Sequence, residues 1–269
     1  MKEKNMGFTN REILDIAMKQ SAIELGCEPS DFTKSENVAA VSKSSPDARK
    51  YLTTPHNALP YDCNIVSYGN NVVAGAKESY LPFVKDYIDR YGFPHCFETP
   101  SMHVLEEKFS PYGKSVCFMA EYFLPDVTKM QLFDCGYELK ILGRAQFENL
   151  YIDEWSNAIC IERKQLDVLG VGAYDGEKLV GLAACSADCE NMWQIGVDVL
   201  PEYRRKNVAC SVTSHLAKEI LERGKVPFYC SAWSNIRSVK NAVKCGFYPA
   251  WTELTVRDKE LIEILNSDD

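Results

Sequence analysis

Hydrophobic and polar positions change their period several times along this chain. Near the start, Thr9 and Glu12 stand at capping-box spacing, with Phe8 and Ile13 placed to pack across the cap, and Gly26 is placed to end the helix they open. Between about 28 and 61 the text is polar and is broken by Pro29, Pro46, Pro55 and Pro60, with a short apolar island from Val38 to Val41. Two β-rich runs within 63–76 flank Gly69, Asn70 and Asn71, which predicts a hairpin. A helix is expected from near Glu78. It tolerates Pro82 in its first turn, carries Phe83, Val84, Tyr87, Ile88 and Tyr91 along one side, and stops at Gly92 and Pro94. Residues 115–124 read as a strand.

After Pro125 a polar stretch leads to a strand at 137–142, and the domain boundary is placed near residue 135. Residues 1–135 then form an N-terminal α/β domain, 136–257 a second domain and 258–269 a short helical tail. Within the second domain we expect short helices at 144–151 and 154–160. A hairpin of residues 169–174 with 179–185 follows, turning at Asp175 and Gly176. Next come a strand at 192–199, a helix from about 207 to 223, a strand at 226–232, a helix at 235–245 and a strand at 247–256. This alternation predicts an α/β (α+β) fold, a sheet partly covered by helices. No fixed-period repeat is visible, although both halves contain a hairpin followed by helix and strand, the mark that an old duplication would leave.

Composition narrows the function classes. The chain has 269 residues, 46% hydrophobic and 25% charged, which is ordinary globular material for two modest domains. Its opening residues lack the apolar core of an export signal, and no run approaches the ~20 apolar residues a membrane span requires, so a cytoplasmic location and no membrane partner are expected. Eleven cysteines, an odd number spread singly along the chain, suggest free thiols rather than a disulfide framework. His56, His95, His103 and His215 come without a CxxC or HExxH pattern, so no metal is expected. A net charge of -8 gives no overall attraction for nucleic acid.

The densest chemical information lies at 193–212, where a strand ends at Leu200 and Pro201 and a basic turn of Arg204, Arg205 and Lys206 leads into a helix. The first amides of a helix have no internal partner and the helix dipole adds positive potential there, so such a junction suits a pyrophosphate. Val208, Val212, Leu216 and Ile220 recur at i, i+4 and would fix that helix end against the sheet. Taken alone, the basic turn also reads as a solvated connection, and Asn235 and Ser238 as helix-capping residues.

Two ordered matches favour the functional reading. The run RRKNVA at 204–209 resembles the Q/R-x-x-G-x-G/A turn of the GCN5-related N-acetyltransferase (GNAT) superfamily, and VDVLPEY at 197–203 resembles the run that precedes it there. The segment 231–247 is similar to the family's strand, Asn-containing turn and helix ending in Gly-Phe. Asn207 stands where the family has glycine. Asn is the side chain that most readily replaces glycine in left-handed backbone.

The resemblance, which covers the C-terminal half, implies a mixed, largely antiparallel twisted sheet flanked by helices, with acetyl-CoA or coenzyme A as the ligand; the N-terminal domain is expected to shape the acceptor site, and a degenerate GNAT-like unit there would account for the order that both halves share. It implies that Val197 and Val199 meet the pantetheine arm with backbone groups, that Arg204, Arg205, Lys206, Asn207, Val208 and Ala209 hold the pyrophosphate, and that Asn235 and Ser238 contact the cofactor lower down. It also implies pairing of two copies as a homodimer. The activity implied is direct transfer of an acetyl group to a primary amine, on a small molecule or a peptide. Negative overall charge favours cationic acceptors such as polyamines, aminoglycosides or lysine side chains.

The family's usual Tyr acid corresponds to Ala242 and its usual Glu base to Trp193, so neither is present. Tyr229, Cys230, Ser231, Asp198 and Tyr248 remain near the expected splay of the sheet, and no catalytic residue is assigned among them. That gap keeps two rivals open. One is a non-catalytic coenzyme A-binding regulatory module. The other is an interaction protein that retains only the fold.

Overall fold

A computed structural model of the chain describes residues 7–50 and 62–267. Pro55, Pro60 and His56, the first six residues of the chain and the last two of its tail lie outside the described residues. The chain clusters into two compact units, and neither is one continuous stretch. The first comprises Met1–Ile16 with Phe123–Pro249, the second Ala17–Tyr122 with Ala250–Asp269. No helix among the described residues is long and apolar enough to cross a membrane.

Helix α1 (Asn10–Leu25) begins as its sequence predicts. The Thr9 amide donates to Glu12 Oε2 at 2.7 Å and the Glu12 amide to Thr9 Oγ1 at 3.2 Å, a reciprocal cap. Gly26 closes it with φ +75°, where a Cβ would lie 2.5 Å from the Val41 carbonyl oxygen.

In the second unit, β1 (Val38–Val41) is parallel to β3 (Val73–Ala76), and β3 forms the expected antiparallel hairpin with β2 (Cys63–Ser67). Beyond β2 lies β10 (Phe247–Asp258), paired antiparallel through Thr252 to Val256. Helix α2 (Leu81–His95) packs Val84, Tyr87 and Ile88 onto this sheet. Its helical backbone breaks at Gly92 (φ 59°, ψ -177°), as its sequence predicts. Helix α3 (Thr99–Phe109) has no counterpart in the sequence reading. It buries Leu105 and Phe109. A buried ionic group ties the unit together. Arg49 donates to Glu24 and, at 2.9 Å, to Glu253, which also accepts from Asn64 at 2.9 Å.

In the first unit the strands run β9-β8-β7-β6-β5. Strand β5 (Glu138–Gly143), β6 (Asp167–Asp175), β7 (Lys178–Ser186) and β8 (Met192–Val199) form an antiparallel meander, and β9 (Val226–Ser231) adds on in parallel. Strand β4 (Lys114–Pro125) matches the predicted run, and the chain passes between the two units within α1, β4 and β10. Helix α4 (Val208–Glu222) covers the sheet with Val208, Val212, Leu216 and Ile220, all buried. Helix α5 (Ile236–Lys244) packs beside it, and the short α6 (Lys259–Leu265) ends the described chain.

One expectation needs correcting. The helices predicted at 144–151 and 154–160 are only single 3-10 turns, Arg144–Gln146 and Asp153–Trp155, and a third follows at Ile161–Arg163. Their apolar residues act as isolated anchors rather than a stripe: Phe147, Trp155, Ala158 and Ile159 each reach one small core with Leu182 and Ala184. The backbone between them satisfies itself through other partners. Asp198 on β8 accepts the amides of Asn157 and Ala158, each at 2.9 Å, and the Asn157 side chain at 2.9 Å.

Candidate anion-binding turn and sheet fork

The parallel pairing of β8 with β9 runs from Met192 opposite Val226 to Ile195 opposite Tyr229 and stops there, while β8 continues to Val199 and β9 to Ser231. The two strands thus fork. On its other edge β8 stays paired, with Val197 opposite Ala183 and Val199 opposite Gly181. The backbone of Val197 and Val199 therefore lies on the part of β8 that has left β9. Gly196, at the fork, is required by packing, because a Cβ there would lie 2.0 Å from the Asn157 carbonyl oxygen.

Past Val199 the chain makes a 3-10 turn at Pro201–Tyr203 and then the basic turn. Arg205 (φ 64°) and Asn207 (φ 61°) are the described non-glycine residues with left-handed backbone. Asn207 caps α4 from that conformation, the role its sequence position predicts for it. The first helical bond runs from the Ser211 amide to the Asn207 carbonyl at 2.9 Å. Among the described residues, none accepts a hydrogen bond from the consecutive backbone amides of Arg205 through Cys210. An arc of unpaired amides at a helix start is a donor set for an anion with several oxygens.

The basic side chains divide their tasks. Arg204 turns back and donates from Nε to the Val199 carbonyl at 3.1 Å, bracing the turn against the end of β8. Lys206 lies over the Tyr203 ring, 5.0 Å from its centroid, and Tyr203 is anchored through its hydroxyl on Asp175 at 3.0 Å. Arg205 is exposed, and among the described residues its side chain makes no hydrogen bond or ion pair. Val208 is buried and seals the turn from beneath: a Cβ on Gly181 would lie 2.3 Å from its Cγ1. Ala209, half-buried, adds no bulk at the helix start.

Asn235 and Ser238 lie at the head of α5 rather than on the turn itself. Asn235 caps that helix, its Oδ1 accepting the Ser238 amide at 3.2 Å, and the Ser238 hydroxyl shares a 2.7 Å hydrogen bond with the Tyr229 hydroxyl. The capping role is therefore real. Tyr229, on the last paired step of the fork, is buried, and desolvation raises its pKa above the usual phenol value.

The sequence reading missed Lys244. From the last turn of α5 it donates from Nζ to Asn207 Oδ1 at 2.8 Å, its ammonium 5.2 Å from the Phe133 ring centre. A basic residue two places before Gly246 was the available signal, but only the tertiary pairing of α4 with α5 gives it meaning. Ala242, at the family's acid position, is wholly buried in the core of α4 and α5, and Trp193 is half-buried on the paired part of β8. Asp198 is committed to the amides of Asn157 and Ala158, and Gln194 donates to Cys230 Sγ at 3.2 Å beside the fork.

No curated protein matches the chain in sequence. Among solved structures it resembles a putative GNAT acetyltransferase from Novosphingobium aromaticivorans, at 19% identity over 54% of this chain and 66% of that one, with a TM-score of 0.41. A GNAT-family acetyltransferase from Colwellia psychrerythraea matches at 16% identity over 54% of this chain and 57% of that one, TM-score 0.42. A GCN5-related N-acetyltransferase-like protein from Streptococcus suis matches at 22% identity over 60% and 68%, TM-score 0.41. The chain spans less than two thirds of the length of the first two. The family model of the GNAT acetyltransferases matches residues 121–251, a stretch that contains the forked strands, the basic turn and helices α4 and α5. Over residues 121–251, therefore, the chain is similar to the GNAT acetyltransferase family.

Proposed function

We propose that the protein is an acetyl-CoA-dependent N-acetyltransferase, with residues 136–257 as its catalytic domain and a primary amine as acceptor. The observation that carries this reading is the arc of unpaired amides from Arg205 to Cys210, held open by two left-handed residues at the head of a rigid helix. That donor set fits a pyrophosphate. Its backbone would hold the phosphates, the Arg205 and Lys206 side chains would add charge, and the freed edge of β8 at Val197 and Val199 would align the pantetheine amides.

When bound, acetyl-CoA supplies the activated thioester whose acetyl group the amine takes up. The chain's own contribution is binding, alignment and polarisation. The edge of β8 that leaves β9 beyond Ile195 offers amide donors to developing negative charge on the carbonyl oxygen. With Ala242 and Trp193 at the usual acid and base positions, an amine delivered in its neutral form is the species this site is suited to, so the rate should rise with pH toward the amine's own pKa. Transfer is direct, without an acylated protein.

The test is release of free thiol from acetyl-CoA against a panel of polyamines, aminoglycosides and lysine peptides. Turnover with any of them supports the reading. Acetyl-CoA binding without turnover across the panel favours the second reading, a coenzyme A-binding regulatory module, which the buried Ala242 supports.

A further inference from the structure

Helices α4 and α5 meet beneath the basic turn through two cysteines. Cys210, the third residue of α4, donates the last of the unpaired amides. Cys245 follows Lys244 directly at the end of α5. The Cys245 thiol donates to the Cys210 carbonyl oxygen at 3.5 Å, which sets the two cysteines side by side. Both side chains are buried in the same core cluster, Cys210 retaining a small exposed edge of 7%. The neighbouring Lys244 is hydrogen-bonded to Asn207. One thiol is thus built into the turn, and the other adjoins the side chain that braces it.

We propose that Cys210 and Cys245 are a redox pair that closes to a disulfide under peroxide and thereby reshapes the turn, weakening its hold on acetyl-CoA. The consequence for acetyl-CoA rests on the function proposed above; the closure itself does not.

The chemistry has a defined order. The adjoining Cys245 thiol and the Lys244 ammonium lower the pKa of Cys210 below that of an ordinary thiol, against the cost of burial, whereas Cys245 is raised. Cys210, as thiolate, attacks one oxygen of hydrogen peroxide, becomes a sulfenic acid and releases hydroxide. Cys245 then attacks the Cys210 sulfur, the S–O bond breaks, and hydroxide leaves with the thiol proton as water. In sum two thiols and one peroxide give one disulfide and two waters. Closure must give up the Cys245 bond to the Cys210 carbonyl and bring the two sulfurs to about 2.05 Å. That movement shifts Cys210 within the first turn of α4 and takes Lys244 with its neighbour, so the bond to Asn207 Oδ1 and the alignment of the amide arc change together.

The experiment treats the intact protein with hydrogen peroxide and digests it with trypsin after blocking free thiols. Cys210 and Cys245 fall in separate peptides, 207–218 and 245–257, each with a single cysteine. A 207–218/245–257 disulfide that dithiothreitol reverses is expected, absent in Cys210→Ser and, as a second variant at the more buried site, in Cys245→Ala. Oxidation should also alter amide hydrogen exchange across 205–210, a readout that needs no ligand, and should weaken acetyl-CoA binding about tenfold. Peptides that stay separate overturn the pair. A mapped disulfide with unchanged exchange and unchanged affinity overturns its effect on the turn. Changed exchange in a protein that never binds acetyl-CoA leaves the redox pair standing and counts against the proposed function instead.

Discussion

Lys244 donates to Asn207 Oδ1 at 2.8 Å, so the residue whose left-handed backbone opens the head of α4 is held by the last turn of α5. The turn is therefore set by two helices. Its backbone conformation comes from Asn207 itself, and its side-chain bracing comes from a residue 37 positions away in sequence.

Substitutions at Asn207 should separate these two contributions. Asn207→Gly keeps φ 61° accessible and removes the Lys244 contact, and should change acetyl-CoA affinity by less than about threefold. Asn207→Val places a β-branched residue in left-handed backbone at a cost of about 1–2 kcal/mol and should weaken binding about tenfold. Titration of each variant with acetyl-CoA reads both.

The fork depends on Gly196 and Asp198. Gly196→Ala would set a Cβ 2.0 Å from the Asn157 carbonyl oxygen and should cost about 2–4 kcal/mol. Asp198→Ala leaves the Asn157 amide without its acceptor and the Ala158 amide with the Trp155 carbonyl alone, and should cost about 1–3 kcal/mol. Urea denaturation midpoints check both, with an unchanged slope as the sign that the fold survives.

Stability should fall between pH 4 and pH 6 because of Asp167. Burial, opposed by the Cys160 amide, nearby arginines and the Tyr151 hydroxyl, raises its pKa from 3.8 to about 6. Below pH 3.8 both folded and unfolded chains carry the proton. As pH rises toward 6 the unfolded chain ionises first, which favours unfolding, and above 6 the penalty is constant at about 3 kcal/mol. Asp167→Asn keeps an acceptor for Tyr151 and Cys160 and should remove this slope from a pH series of melting temperatures.

Much of the first unit was legible in the sequence because its signals are local. The i, i+4 stripe of Val208, Val212, Leu216 and Ile220 gives α4, alternation bounded by turn residues gives β6, β7 and β8, and the resemblance of residues 204–209 to a known turn locates the donor arc. What failed depends on tertiary partners. Phe147 and Trp155 look like helix residues until each is seen anchoring a separate 3-10 turn, and after the second turn the Asn157 and Ala158 amides are taken up by Asp198. Arg204 and Arg205 are equivalent in the sequence, yet one braces Val199 and the other makes no side-chain bond among the described residues. Lys244, Cys210 and Cys245 acquire a relationship only when α5 packs on α4.

The most direct test of the central claim is calorimetric titration of the reduced protein with acetyl-CoA, repeated on a variant carrying Arg205→Ala and Lys206→Ala. Micromolar affinity, about -8 kcal/mol, is expected, weakened at least about tenfold in the double variant while its melting temperature is unchanged. No heat of binding in the native protein, or equal affinity in the two, would contradict it.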